Sequence, residues 1–322
     1  MAVVSRRSRS WWYAVAVPAV LAAAVAGALG ASRDAAPPPA DHGATALPPD
    51  PSAPAVSAPA ASAPPAEVLY AAEQVLIRDC MQRRGFRYWP APRQPVPELR
   101  EFPYVLDDVS YARRYGYGGA LERRLQETIA ADPNVRYARE LPPERGAAAV
   151  RARNGDPGEP DALRVTLPAG GVLRRSSHSC TSEAERQLYR DLPGWYRVTR
   201  ITDNLAGPRV GRVLADPRYA DGVRAWRRCM RAAGHDVADP ASARASAPEP
   251  TPVTPGSVTP GEIRLAVAEA TCATRTGLGR LARRLDAEHR RAVDSRFRAE
   301  IADRLRLEAD ALPRARAALA AG

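Results

Sequence analysis

At 322 residues the chain could form one large domain or two small ones. All 47 basic residues are arginine, and alanine and proline abound, a composition that GC-rich coding produces, so the net charge of +11 is not in itself a nucleic-acid footprint. Arg6, Arg7 and Arg9 supply three of those charges, leaving +8 beyond them. That field suits anionic wall polymers or membrane surfaces. No basic run is interleaved with aromatics as in a single-strand groove, which disfavours nucleic acid as a partner.

Residues 1–10 form a basic segment. From Trp11 to Ala31 there are 21 residues without a charge, enough as a helix to cross a hydrocarbon core of about 30 Å. Trp11, Trp12 and Tyr13 stand where an interfacial belt belongs. The arginines would stay inside, giving a single-pass membrane protein with its C-terminus outside. The alternative is a signal peptide, with secretion after cleavage near Ala28 or Gly30. Residues 32–65 are an Ala/Pro-rich stretch with almost no large apolar side chain, which predicts a disordered linker.

Two segments then repeat. Leu76-Ile77-Arg78-Asp79-Cys80-Met81-Gln82-Arg83-Arg84-Gly85 parallels Ala225-Trp226-Arg227-Arg228-Cys229-Met230-Arg231-Ala232-Ala233-Gly234. Apolar residues four and three before each cysteine share its helix face, and the glycine five after it suits a left-handed helix end. Cys180 and Cys272 also fall in helical patterns. The order reads as two cysteine-bearing halves, residues 66–215 and 216–322.

Between the repeats, Phe102-Pro103-Tyr104 leads to Asp107-Asp108 and a short helix that Gly116 stops. Helices are expected at Ala120 to Ala130 and Asn134 to Glu140. The alternation Leu163-Arg164-Val165-Thr166, a turn through Pro168 to Gly171, and Val172-Leu173 predict a β-hairpin. Helices follow over 182–191 and 217–233. Residues 240–258 read as a loose loop. Thr259-Pro260-Gly261-Glu262 opens a helix with a capping box. Past Cys272, the spacing Leu281, Leu285, His289, Val293, Phe297, Ile301, Leu305 predicts one long amphipathic helix able to pack on the domain or on another copy.

Four cysteines in an exported chain point to two disulfides. Of three pairings, Cys80–Cys180 with Cys229–Cys272 is favoured, because each half then closes on itself. The cysteine spacings are far from C-x₂-C, and no metal or cofactor site is read. His178 lies two residues from Cys180, but a bonded Cys180 has no thiol to offer as a nucleophile. His289 falls on the apolar stripe, and His235 follows a helix-ending glycine. Adjacent Asp107 and Asp108 point about 100° apart on a helix, which suits capping better than paired acid chemistry. Tyr104, Asp108, Tyr111, Tyr115 and Tyr117 form the candidate binding surface, with core building as the competing role. Serine-hydrolase, zincin and EF-hand patterns are absent.

The order of these motifs resembles a loose family of exported proteins of high-GC Gram-positive bacteria. It is carried by Cys80-Met81 with Gly85, Phe102-Pro103-Tyr104 with Asp107-Asp108, Gly116-Tyr117-Gly118, Leu167 to Gly171, Cys180, Cys229-Met230 with Gly234, and Cys272. It covers about Ala66 to Leu285. Many such chains carry a lipobox cysteine where this one has an apolar segment. The family has no assigned activity, so the resemblance implies compartment and cysteine usage only.

The sequence therefore predicts a mainly α domain of two related cysteine-bearing halves with one small β-hairpin, behind an apolar segment and a tether. The expected function is a non-enzymatic, envelope-tethered binding or structural protein. Its expected partners are the membrane through residues 11–31, and anionic wall polymers or an envelope protein. The alternatives are a wall-directed hydrolase using the aromatic region and Asp108, and a regulator whose last helix oligomerises.

Overall fold

The computed structural model describes residues 63–91, 93, 96–248 and 258–321, which build a mainly helical fold with one two-stranded hairpin. The expected membrane segment 11–31 and the linker as far as residue 62 lie outside those residues. Among the described residues no helix is long and apolar enough to cross a membrane.

Helix α1 (Pro65–Arg83) begins inside the expected linker, and Ala63 ahead of it already packs on the core. After an extended stretch come α2 (Val109–Tyr115), α3 (Gly119–Ala130), α4 (Pro133–Glu140) and α5 (Pro143–Asn154). Strands β1 (Leu163–Thr166) and β2 (Val172–Arg175) pair antiparallel, with Leu163 opposite Arg175 and Thr166 opposite Val172. Then follow α6 (Cys180–Tyr189), α7 (Leu192–Asp203), α8 (Ala206–Leu214), α9 (Pro217–Ala232), α10 (Pro240–Ala245), α11 (Pro260–Thr276), α12 (Leu278–Arg296) and α13 (Arg298–Ala321).

Acid-plus-proline starts recur. Asp132, Asp216 and Asp239 each accept a backbone N–H at the start of α4, α9 and α10, and a proline occupies the next position. The side chain meets an orphan donor of the first turn, while proline has no N–H to leave unmet. The capped start at Asp239 turns the first part of the expected 240–258 loop into α10.

The two Cys-Met units end alike. The Phe86 and His235 N–H groups each donate 2.9 Å to the carbonyl of the methionine, Met81 or Met230. Gly85 and Gly234 take φ values of 77° and 85°, the left-handed conformation that this helix end requires. Both disulfides form, Cys80–Cys180 and Cys229–Cys272, with Cα separations of 5.5 and 5.7 Å. Their second cysteines do not correspond: Cys180 is the first residue of α6, whereas Cys272 lies near the end of α11. Only the first cysteine unit of each half is repeated.

The halves also exchange elements. Helix α2, from the first, lies on α11, and α13, from the second, lies on α1, α6 and α7. The expected single C-terminal helix is broken at Phe297, whose φ and ψ of −110° and 26° end α12. The break changes the buried stripe. Val293 is 3% exposed on the hairpin side, but Leu305 is 61% exposed, and Leu307, Ala311 and Ala315 enter the core instead.

Candidate functional site

The aromatic segment nominated by the sequence is built into the fold. Asp108 caps α2 by accepting the Tyr111 N–H at 2.9 Å, and Arg100 Nη1 donates to its other oxygen at 2.6 Å. The backbone bond first and the arginine second hold this carboxyl below the usual range, so it stays ionised and has no proton to donate. Asp107 points elsewhere, to Arg283. Tyr111 is 5% exposed, its ring centre 5.0 Å from Phe102 and 5.1 Å from Tyr115. The Tyr104 hydroxyl donates to Asp286, and burial, with that carboxylate, pushes it up to about 12. Tyr104 and Tyr117 flank the Trp226 core, and Asp108 and Tyr115 are half-buried. These five residues do not assemble one exposed face.

Two acids that the sequence did not nominate organise this region. Glu262 and Glu269 are seven apart on α11 and share its buried face. Thr259 caps α11 as expected, accepting the Glu262 N–H at 3.0 Å. The Glu262 side chain does not turn back to complete the capping box; it accepts the Tyr117 N–H at 2.9 Å. Gly116, at φ 58°, lets that carboxylate approach where a Cβ would strike it. Glu269 is fully buried and accepts from Leu106 N and Tyr117 Oη, both at 2.8 Å. Burial pushes its carboxyl up, opposed by Arg244 and by the two donors.

A second charged cluster joins α1, β2, α6 and α7. Glu185 is buried against the Arg175 guanidinium, which donates from both terminal nitrogens and lies 4.8 Å from the Tyr196 ring centre. Arg200 faces the same ring at 5.5 Å. Glu73 on α1 sits beside this group. Desolvation, then the negative charge of Glu185, push it up to about 8 against the pull of Arg175 and Arg200. Both causes favour the protonated form of Glu73 in this cluster.

The histidines separate. His289 Nε2 lies 3.3 Å from Asp216, half-buried as expected from the stripe. His178 meets Asp161 at 2.6 Å, and Cys180 is bonded, so no Cys–His nucleophile exists. His235 lines a shallow open groove of about 500 Å³ over α11, together with Ile263, Val267, Ala268, Arg264 and Arg275. Among the described residues, the lining includes no acid and no ion pair engages either arginine. The two arginines are eleven residues apart on one helix face, about 16 Å.

No protein-family model, no curated protein and no solved structure matches the chain.

Proposed function

We propose that this chain is an exported, membrane-tethered helical module that binds an anionic polymer of the cell envelope and catalyses no reaction. The observation that carries the reading is the α11 groove, lined by Arg264, Arg275 and His235 together with apolar side chains, with no acid among the described lining residues. Such a site attracts an extended polyanion by long-range charge and contacts its carbon backbone below. The two disulfides suit the oxidising side of a membrane, and the resemblance to exported Cys-Met proteins points the same way.

The hydrolase alternative is less favoured, because Asp108 serves as a helix cap paired with Arg100 and is held ionised, which suits no general-acid role, and Tyr111 beside it is buried. The oligomerising regulator is less favoured, because Phe297 and Ile301, half-buried, pack against the hairpin core within the chain.

The test is retention of the full chain, in detergent, on immobilised poly(glycerol phosphate). Binding is expected at low ionic strength, weakening at least roughly tenfold at high salt as charges are screened. The double change Arg264→Ala with Arg275→Ala should weaken it by a similar factor. Absent binding at low salt, or equal binding by the variant, would overturn the reading.

A further inference from the structure

Three metal-ligating side chains converge away from that groove, at the base of the β-hairpin. Glu159 and Asp161 lie just before β1, and His178 lies between β2 and α6. One ligand atom from each falls within 4.8 Å of the others. Ligand atoms around a tetrahedral ion with bonds of about 2.0–2.2 Å lie about 3.4 Å from one another, so side-chain shifts on the order of 1 Å, which would open the 2.6 Å contact between Asp161 and His178, would bring all three onto one ion. Asp161 and His178 have side chains 59% and 69% exposed, so core packing does not hold their rotamers.

The charges nearby are arranged unusually for an arginine-rich protein. Arg174 donates to the Glu159 carbonyl at 3.0 Å, Arg186 to the Ser177 carbonyl at 2.7 Å, and Arg84 to the His178 carbonyl at 3.0 Å. These guanidinium groups fix the backbone of both segments. Among the described residues no ion pair joins an arginine to either carboxylate; their partners are Ser177 and His178. The Cys80–Cys180 bond pins the chain two residues past the histidine. Two carboxylates and an imidazole are thus held together without the cation that neutralises most acids elsewhere in this fold.

We propose that Glu159, Asp161 and His178 form a binding site for one divalent transition-metal ion, with Zn²⁺ the best match. An imidazole with two carboxylates is a zinc-type donor set; Ca²⁺ and Mg²⁺ take all-oxygen shells. Three protein ligands leave a fourth position for water or an external anion. The ion clasps the two ends of the hairpin, and Ser177 N–H, which donates to Glu159 Oε1 at 2.6 Å, orients one ligand.

Calorimetric titration of the full chain, in detergent and with any affinity tag removed, tests the site with Zn²⁺ alone. One ion per chain is expected, and His178→Ala and Asp161→Asn should each weaken binding at least tenfold, while His235→Ala should leave it unchanged. Zn²⁺ should also slow amide hydrogen exchange in β1 and β2 of the wild type but not of the variants. Absence of saturable binding in the wild type would overturn the proposal, as would binding that survives both substitutions. If His178→Ala fails to fold, Asp161→Asn decides between the outcomes.

Discussion

The Tyr117 hydroxyl donates to Glu269 Oε2 at 2.8 Å, joining the Gly-Tyr-Gly turn of one cysteine half to the helix that carries the last cysteine of the other. Glu269 has no exposed surface, so a missing donor there cannot be replaced by water without repacking. Tyr117→Phe should lower unfolding stability by about 1–3 kcal/mol with the denaturant slope unchanged, as read by urea titration. An unshifted midpoint would show that Leu106 N–H and Arg244 suffice for that carboxyl.

The two disulfides close loops of very different size, with sequence separations of 100 and 43. If restraint of the unfolded chain dominates, Cys80→Ser with Cys180→Ser should cost more than Cys229→Ser with Cys272→Ser, each within about 2–5 kcal/mol. Thermal unfolding of the two double variants orders them. The reverse order would place the larger contribution in the folded packing around Trp226 and Met230.

Glu73 gives the fold a pH response of definite sign. The folded chain holds its proton up to about 8, whereas the unfolded chain releases it near the ordinary 4.5. Across that window the native state binds more protons, so this group makes stability fall as pH rises from about 4.5 to about 8. Glu73→Gln removes this group's share of the slope, and between pH 4 and pH 8 it should gain about 1–3 kcal/mol on the wild type. Denaturation at the two pH values measures the difference; parallel curves would contradict it.

Phe297 and Ile301 cover the cluster formed by the hairpin, α7 and Val293. Phe297→Glu should therefore destabilise the chain by about 1–3 kcal/mol through loss of the apolar ring that covers this cluster. It should leave the sedimentation coefficient of the folded protein unchanged. Unaltered stability with altered association would restore the oligomer reading.

Much of the fold was legible because its signals are local. The Cys-Met-x₃-Gly helix ends, the Asp108 and Thr259 caps and the hairpin turn each lie within a few residues and need no tertiary context. The disulfide pairing followed from closing each half. Helix α8 was not foreseen, since Leu205 supplies no capping side chain and Gly207 and Gly211 dilute its pattern. Helix α7 was missed although Asp191 caps it and Pro193 follows one position later than in the starts of α4, α9 and α10. The candidate site was less legible. Glu269 reads as an ordinary surface acid until α2 covers it, and Glu159, Asp161 and His178 meet only once the hairpin folds back. The spacing-of-four stripe through Leu305 misled because the break at Phe297 turns the following helix about its axis.

The packing of α1 against α13 has a mechanical side. Ala63, Val68 and Leu69 pack in one cluster with Ala315, Ala318 and Leu319. A pull applied ahead of α1 first shears that helix from α13. The yielding stops at Cys80, where load passes through sulfur to Cys180 and leaves the 100-residue interval between them slack. The second bond shields its own 43-residue interval in the same way. Under tension this domain would lengthen far less than its contour predicts, a property that single-molecule stretching with and without reductant would register as two releases of hidden length.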